Sequence, residues 1–153
     1  MGILTEQVRL VVDGQLGFVA TVCPDGTPNL SPKGTIAVWD DDHVVFAHIH
    51  SPATVSNLVA NPAIEINVVD QLSRKGFRLK GTATVHVTGR LFETGIQFYD
   101  NRGTTSARER IKAIVIVAVE RVTPVLSPAY DLGTSEQEFR AYWRRHLLDE
   151  PTS

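Results

Sequence analysis

The sequence predicts a mainly β protein, a small β-barrel of about six strands with helical decorations. Apolar, β-branched segments recur along the chain. Turn sequences such as Pro-Asp-Gly-Thr at 24–27 separate several of them and favour antiparallel hairpins. Because helical segments do not alternate regularly with the strands, a doubly wound α/β sheet is not expected. For a chain of 153 residues we expect one domain, covering 1–153.

The first half of the chain is predicted to contain two short helices and four strands. Thr5 can cap the start of an amphipathic helix that ends at Gly14. Ser51 and Pro52 form a second helix start, and Pro62 ends that helix because the residue before a proline avoids the helical region. The segments predicted as strands are 15–23, 28–39 (irregular at its start), 44–50 and 63–70.

The second half is predicted to contain two long strands and two helices. Residues 75–89 alternate in polarity, as expected for a strand with one buried face. We predict a helix at 90–103, a strongly β-branched strand at 113–122 and a C-terminal helix at about 134–148. An acidic first turn and a basic last turn suit the dipole of that last helix. The alternating strand would place Phe77, Leu79 and Gly81 on one face, and Arg78, Lys80 and Thr82 on the other.

Composition limits the classes of function. A formal net charge of -2 argues against broad binding of nucleic acid or membrane surfaces. Cys23 is the only cysteine, so no disulfide forms within the chain, which fits a reducing compartment. The N-terminus has no apolar signal-peptide core, and the longest apolar run is far too short to span a bilayer. We therefore expect a cytoplasmic protein without membrane contact.

Small and cationic residues cluster inside the second predicted strand. Pro32 and Gly34 both weaken a strand, because proline lacks a ladder donor and glycine lacks a side chain to pack. Ser31 and Thr35 offer hydroxyls, and Lys33 offers a positive charge. Two interpretations are open at this point: an anion-binding site, or a bulged edge strand with an exposed lysine.

The helix predicted to begin at Ser51 is a second candidate for anion binding. Its free N–H groups and the positive end of its dipole suit a phosphate group. Thr54 and Asn57 add side-chain donors near its first turns. The alternative is ordinary helix capping with a solvated polar face.

Four cations crowd the start of the long alternating strand, and Gly76 among them allows another backbone to come close. They form either a positive rim for a ligand or an ordinary solvated face. His48 and His50 would share a strand face, but no third ligand accompanies them, so no metal site is predicted. No motif indicates a catalytic acid, base or nucleophile. The four cations are Arg74, Lys75, Arg78 and Lys80.

Taken together, segments 17–70 and 74–85 resemble the pyridoxamine 5′-phosphate oxidase-like, FMN-binding split β-barrel family, and the resemblance extends over 16–122. It implies a six-stranded, Greek-key-like split β-barrel that forms a homodimer with FMN at the subunit interface. It also implies an oxidoreductase that moves hydride or electrons between a reduced donor, such as a nicotinamide, and a small acceptor. The alternative is a non-catalytic flavin- or haem-binding electron-transfer module. A deazaflavin in place of FMN is a further variant.

The resemblance assigns cofactor-binding roles to individual residues. It implies that residues 31–35 pass beside the flavin and that His48 neighbours its ring. It implies phosphate contacts from Ser51, Thr54 and Asn57, and an approach of Lys75 and Gly76 from the partner subunit. The 31–35 group comprises Ser31, Pro32, Lys33, Gly34 and Thr35.

Two departures from the family pattern argue against vitamin B6 as the substrate. Authentic pyridoxamine phosphate oxidases carry an arginine-lysine pair after the serine of the phosphate helix, whereas this chain has Ala53 and Thr54. The basic residues that bind the substrate phosphate in those enzymes, and their C-terminal Arg-x-x motif, have no match that we recognise in this sequence. The sequence is more similar to the short flavin-binding members of the family.

Overall fold

The protein is described here by a computed structural model that covers residues 2–148. Seven antiparallel strands form one sheet in the order β2–β1–β5–β6–β7–β4–β3. The mainly β class is confirmed, with one strand more than the six predicted. The strands are β1 Gly17–Val22, β2 Pro28–Lys33, β3 Ala37–Val38, β4 His43–His48, β5 Ala63–Asp70, β6 Lys75–His86 and β7 Ala113–Leu126.

The sheet is curled into a split barrel. Strands β2 and β3 lie at opposite ends of the strand order, yet only residues 34–36 connect them. Four residue steps span at most about 14 Å. A flat sheet would separate these two strands by about 29 Å at the usual strand spacing of roughly 4.8 Å. The sheet must therefore bend until its two edges approach each other, which leaves the split between β2 and β3.

The extra strand arises because the segment predicted as one strand, 28–39, is broken. Its start, predicted to be irregular, pairs regularly with β1 from Pro28 to Lys33. The interruption falls at 34–36 instead. There Thr35 Oγ1 accepts a hydrogen bond from the N–H of Ala47 at 3.0 Å, so a side chain replaces a ladder partner.

Within residues 2–148 five α-helices accompany the sheet, and α1 and α5 begin at their predicted capping residues. Thr5 accepts from the N–H of Val8, and Ser135 forms a capping box with Glu138. Asn61 ends the second helix, immediately before Pro62, as predicted. The helices are α1 Glu6–Gly14, α2 Pro52–Ala60, α3 Arg90–Asn101, α4 Ala107–Arg110 and α5 Glu136–Leu147, and a 3₁₀ helix covers Pro128–Leu132.

Two hydrophobic clusters lie on opposite sides of β4 and β7. The barrel interior contains Phe46 and Val115 together with Val8 of α1. The second cluster packs α3 against the outer side of the same strands, with Ile96 against the side that carries Ile114. Strand β4 and the first half of β7, as far as Val119, are thus buried on both faces, which explains their continuous apolar runs.

The C-terminal segment attaches to the turn between β5 and β6 through polar contacts. Arg140 of α5 pairs with Asp70 at 2.6 Å, and Glu136 pairs with Lys75 at 2.8 Å. The Tyr130 hydroxyl donates to the Ser73 carbonyl in the same turn. None of the α5 residues is fully buried, but Phe139 packs on Tyr130 and Trp143 lies against the Arg74 guanidinium, so aromatic contacts and ion pairs together hold the helix in place.

The pKa of Asp70 is lowered by this arrangement. Burial opposes ionisation of the carboxyl, but hydrogen bonds from Leu72 and Ser73 and the charge of Arg140 together outweigh it.

Among residues 2–148, none of the helices has the length and apolarity needed to cross a membrane.

We expect Gly76→Ala to destabilise the barrel by about 1–3 kcal/mol, because overpacking forces the backbone to move. An added Cβ at Gly76 would lie 2.1 Å from the carbonyl oxygen of Val68 on β5, which is rigid backbone. Urea unfolding followed by circular dichroism measures the change. Gly14→Ala is the matched control, since an added Cβ there meets no atom within 4 Å. Equal stability of the two variants would contradict this account of Gly76.

Candidate anion-binding site at the barrel split

Lys33 is a buried cation without a carboxylate partner. Lys33 is only 6% exposed to solvent. The ammonium group donates to the hydroxyls of Ser31 at 2.6 Å and Ser51 at 2.5 Å. Among residues 2–148 no carboxylate lies within ion-pair distance of it. Burial lowers the pKa of Lys33 because the charged form loses hydration. A bound anion would offset that cost.

The start of α2 contacts Lys33 and adds a second polar group without a partner. The Ser51 side chain does not cap the helix, in contrast to the prediction, because its hydroxyl faces Lys33. Thr54 in the first turn is 1% exposed, and its Oγ1 has no hydrogen-bond partner within residues 2–148. The first N–H groups of a helix also lack intrahelical acceptors. A buried ammonium, a helix N-terminus and an unsatisfied hydroxyl together suit a phosphate.

His48 completes this group of residues at the end of β4. Its Nδ1 accepts a hydrogen bond from the Ser51 N–H at 3.1 Å, so the neutral ring carries its proton on Nε2. Burial lowers the pKa of His48, and the charges of Lys112, Lys33 and His50 lower it further. We call Ser31, Lys33, His48, Ser51 and Thr54 the anion cluster.

Two residues near the anion cluster are missed by sequence reasoning. Lys112 comes close because Ala113 of β7 pairs with His48, and its N–H donates to the His48 carbonyl at 2.9 Å. The Tyr99 hydroxyl of α3 donates to the Thr35 carbonyl at 2.7 Å, and burial raises the pKa of that hydroxyl. The only sequence signal for Lys112 is a cation directly before a strand, which is too common to be informative.

Some of the predicted site residues are engaged in other contacts. Asn57 donates to Thr21 Oγ1 at 3.1 Å, one helical turn beyond Thr54. The Thr35 hydroxyl is taken up by the backbone of Ala47. Pro32 and Gly34 are exposed at the barrel edge. Their proposed contacts with a cofactor stay predictions.

Lys75 and Gly76 lie away from the anion cluster of the same chain. The ladder pairs Lys33 with Gly17, Gly17 with Val68, and Val68 with Phe77, next to Gly76, so three strand spacings intervene. Gly76 allows close approach of β5, and the Lys75 ammonium binds Glu136 and lies 4.7 Å from the ring centroid of Tyr130. Their approach to a cofactor from a partner subunit stays a prediction.

The anion cluster is suited to binding rather than to side-chain catalysis. It has a cation, hydroxyls and a neutral imidazole, but no carboxylate orients His48 within residues 2–148. The described residues also contain no group of three or more His, Cys, Asp or Glu that could hold a metal ion. Chemistry at such a site would come from a bound phosphorylated cofactor.

Comparison with known proteins identifies the family. The family model described as pyridoxamine 5′-phosphate oxidase matches residues 4–125. The chain belongs to the pyridoxamine 5′-phosphate oxidase family. For this family member, the resemblance inferred from the sequence motifs is therefore confirmed, together with the curled antiparallel sheet that the family shares.

Solved structures similar to this pyridoxamine 5′-phosphate oxidase family member include the following three. HupZ from group A Streptococcus is 30% identical, with a TM-score of 0.72 over 82% of this chain and 96% of that one. An FMN-binding protein from Syntrophomonas wolfei is 18% identical, with a TM-score of 0.67 over 81% of this chain and 87% of that one. An F420 reductase is 20% identical, with a TM-score of 0.60 over 78% of this chain and 98% of that one. The last two likenesses concern the fold alone.

A curated relative matches a shorter stretch of this chain than the solved structures do. The chain is 27% identical over 88 residues to an uncharacterized protein of Methanocaldococcus jannaschii, and spans 58% of the length of that relative. Family membership and the fold follow from these comparisons.

We expect the ligand-free protein to lose stability as the pH falls through about 6.5, the ordinary pKa of histidine. Because the folded state lowers the pKa of His48, the unfolded chain binds the proton more readily, and acidification favours unfolding. Thermal unfolding between pH 7.5 and 5 measures this. The carboxyls with lowered pKa values, such as Asp40 and Asp70, affect stability in a more acidic window, near and below 3.8. His48→Gln should flatten the profile, and an unchanged slope would contradict the assignment.

Proposed function

We propose that this chain is an FMN-binding flavoprotein and an oxidoreductase that passes hydride or electrons from a reduced donor to a small acceptor. The observation that carries the proposal is the anion cluster, in which the buried Lys33 ammonium and the unsatisfied Thr54 hydroxyl lie at the N-terminus of α2. A similar FMN-binding protein from Syntrophomonas wolfei supports the choice of cofactor.

The residues present fit the phosphate of FMN. Lys33, Ser51 and Thr54 would bind the phosphate oxygens, with the first N–H groups of α2. Lys33 from β2 would supply the cation that the arginine-lysine pair supplies in authentic pyridoxamine phosphate oxidases, where this chain has Ala53 and Thr54. When bound, FMN would supply the hydride and electron chemistry.

The residues of this chain would bind FMN and tune the reactivity of its ring. The neutral His48 ring keeps a donor at Nε2 beside the cluster, and the backbone N–H groups near 33–35 are our candidates for contact with the flavin ring. A second copy of the chain is proposed to complete the cleft. Val22 and Leu30, 36% and 66% exposed on the outer side of β1 and β2, give an apolar surface suited to such a contact.

A second candidate function is a non-catalytic flavin- or haem-binding electron-transfer module. The lack of an evident side-chain acid or base in the anion cluster favours it. A deazaflavin is the alternative cofactor, because a similar structure is an F420 reductase. The experiments below distinguish these alternatives.

Thr54→Val tests the phosphate site most directly. The variant removes a buried hydroxyl that has no partner in the ligand-free protein, so we expect unchanged or increased stability of the apoprotein. It should weaken FMN binding by about 1.5–3 kcal/mol, the usual contribution of a hydrogen bond to a charged group. Calorimetric titration with FMN and with riboflavin, which lacks the phosphate, measures the effect. Only the FMN affinity should fall.

Matched variants separate a phosphate role from general damage to the helix. Ser56→Ala removes an exposed hydroxyl of the same helix and should leave FMN affinity unchanged. Lys33→Met removes the buried charge and should abolish the preference for FMN over riboflavin. Equal binding of the two flavins by the unmodified protein would exclude the phosphate site.

Enzymatic function is tested by oxidation of NADH or NADPH under air, with and without added FMN. FMN-dependent turnover is expected for the oxidoreductase. A protein that binds FMN stoichiometrically but turns over neither nucleotide would favour the electron-transfer module. Light scattering of the same preparation tests the dimer, and a monomer would contradict the proposed interfacial cleft.

A further inference from the structure

Thr35 joins β4 through its side chain instead of its backbone. Extending the register of β3 and β4 by two residues beyond the pair of Ala37 and Val45 places Thr35 opposite Ala47. A regular antiparallel ladder would join the two backbones at this position. Instead, Thr35 Oγ1 accepts from the Ala47 N–H at 3.0 Å and lies 3.3 Å from the Ala47 carbonyl, to which it donates. The backbone N–H and carbonyl of Thr35 are therefore released from the ladder.

Tyr99 binds the released carbonyl. Its hydroxyl donates to the Thr35 carbonyl at 2.7 Å, although the two residues are 64 positions apart in the chain. Tyr99 is 2% exposed and packs with Ile96 and Ile114 in the second hydrophobic cluster, a position that phenylalanine would fill equally well. Burial raises the pKa of the Tyr99 hydroxyl, so the group stays protonated and remains a donor.

The released N–H of Thr35 has no such partner. Within residues 2–148, neither this group nor the N–H of Gly34 donates to an acceptor. Gly34 is exposed to water, whereas Thr35 is half-buried, where N–H groups are usually paired. Both groups directly follow Lys33, and Ala47, which holds Thr35, directly precedes His48. Two donors without acceptors are thus held beside the anion cluster.

We propose that Tyr99 is a positioning residue for the flavin ring, an inference that rests on the proposed FMN function. By holding the Thr35 carbonyl, Tyr99 would fix the link 34–36 and keep its free N–H groups directed at the ring. Reduction by the proposed donor adds electrons to the ring, and fixed N–H donors stabilise the electron-rich form more than the oxidised form. Tyr99 would thus raise the reduction potential of bound FMN through Thr35.

A purely structural role for the Tyr99 hydroxyl has a different consequence. The hydroxyl would then only pair a carbonyl that the ladder leaves free. Its loss would lower the free energy of unfolding, because the carbonyl would lose its partner, but it would not change the potential of the flavin. The reduction potential therefore separates the two roles.

The test compares the two-electron reduction potential of the FMN-loaded protein with that of Tyr99→Phe, measured against reference dyes. Loss of the hydroxyl should weaken binding of reduced FMN about tenfold more than binding of oxidised FMN, which lowers the potential by about 30 mV. Thr94→Val is the matched control, because it removes an exposed hydroxyl of the same helix that donates to a carbonyl at 2.8 Å. Its potential should equal that of the unmodified protein. A folded Tyr99→Phe variant with an unchanged potential would overturn the proposal and leave the FMN function standing.

A fluorinated tyrosine gives a second measurement that keeps the packing of Tyr99. In a background with Tyr130→Phe and Tyr142→Phe, Tyr99 is the only tyrosine of the chain. Fluorine on the ring makes the hydroxyl a stronger donor, which polarises the peptide groups of the link further. The potential should rise relative to the same background with ordinary tyrosine. An equal or lower potential would count against Tyr99 even if Tyr99→Phe does not fold.

FMN binding by the unmodified protein, measured by calorimetry, separates this inference from the function on which it rests. If FMN does not bind, the proposed function fails and the role of Tyr99 fails with it. If FMN binds and neither change at Tyr99 moves the potential, only the positioning role is wrong.

Discussion

A link of only three residues, 34–36, joins the two edge strands of the sheet. Because β2 and β3 lie at opposite ends of the strand order, the link permits only a strongly curled sheet. The same link brings two residues, Lys33 and Thr35, to neighbouring elements. Lys33, just before it, reaches Ser51 at the start of α2, and Thr35 within it binds Ala47 of β4. The anion cluster is thus a product of barrel closure and needs no dedicated binding loop.

The ligand-free anion cluster is unfavourable in a specific way. The Lys33 ammonium exchanges water for two hydroxyls, and the Thr54 hydroxyl loses water without gaining a partner. In the function that we propose, the oxygens of the FMN phosphate would accept hydrogen bonds from these groups, and its charge would complement the ammonium. Local violations of polar pairing of this kind are expected at functional sites, where the rest of the fold supplies the stability. Here the two apolar clusters on either side of β4 and β7 supply it.

Much of the fold can be predicted from local patterns. Alternation predicts β5 and β6 close to their observed limits, because each strand has one buried face. Capping chemistry predicts the starts of α1 and α5 for the same local reason. The break at 34–36 could not be located, because it depends on contacts of Lys33 and Thr35 with distant residues.

The site is predictable only where its residues are near one another in sequence or share a recognisable motif. Ser31, Lys33, Ser51 and Thr54 are predictable as candidates because cations and hydroxyls stand out in a weak strand and at a helix start. The structure brings Ser31 and Ser51 to Lys33, and the binding of a cofactor by these residues stays a prediction. Lys112 was missed because only the pairing of β4 with β7 brings it to His48. The contacts of Lys75 with Glu136 and Tyr130 depend on how the C-terminal segment folds back, for which the sequence carries no local signal.

The double burial of β4 and β7 has a consequence for how these strands align. In most sheets a slip of one residue exposes the apolar set to water, and this penalty selects the register. In β4, and in β7 as far as Val119, both sets are apolar, so a slip of one residue would put one apolar set in the place of the other. Contacts at the strand ends then gain weight in the alignment of β4 with β7: the Val119 N–H donates to the Asp42 carbonyl, and the Lys112 N–H donates to the His48 carbonyl. Hydrogen bonds at the ends of these strands thus help to fix their register.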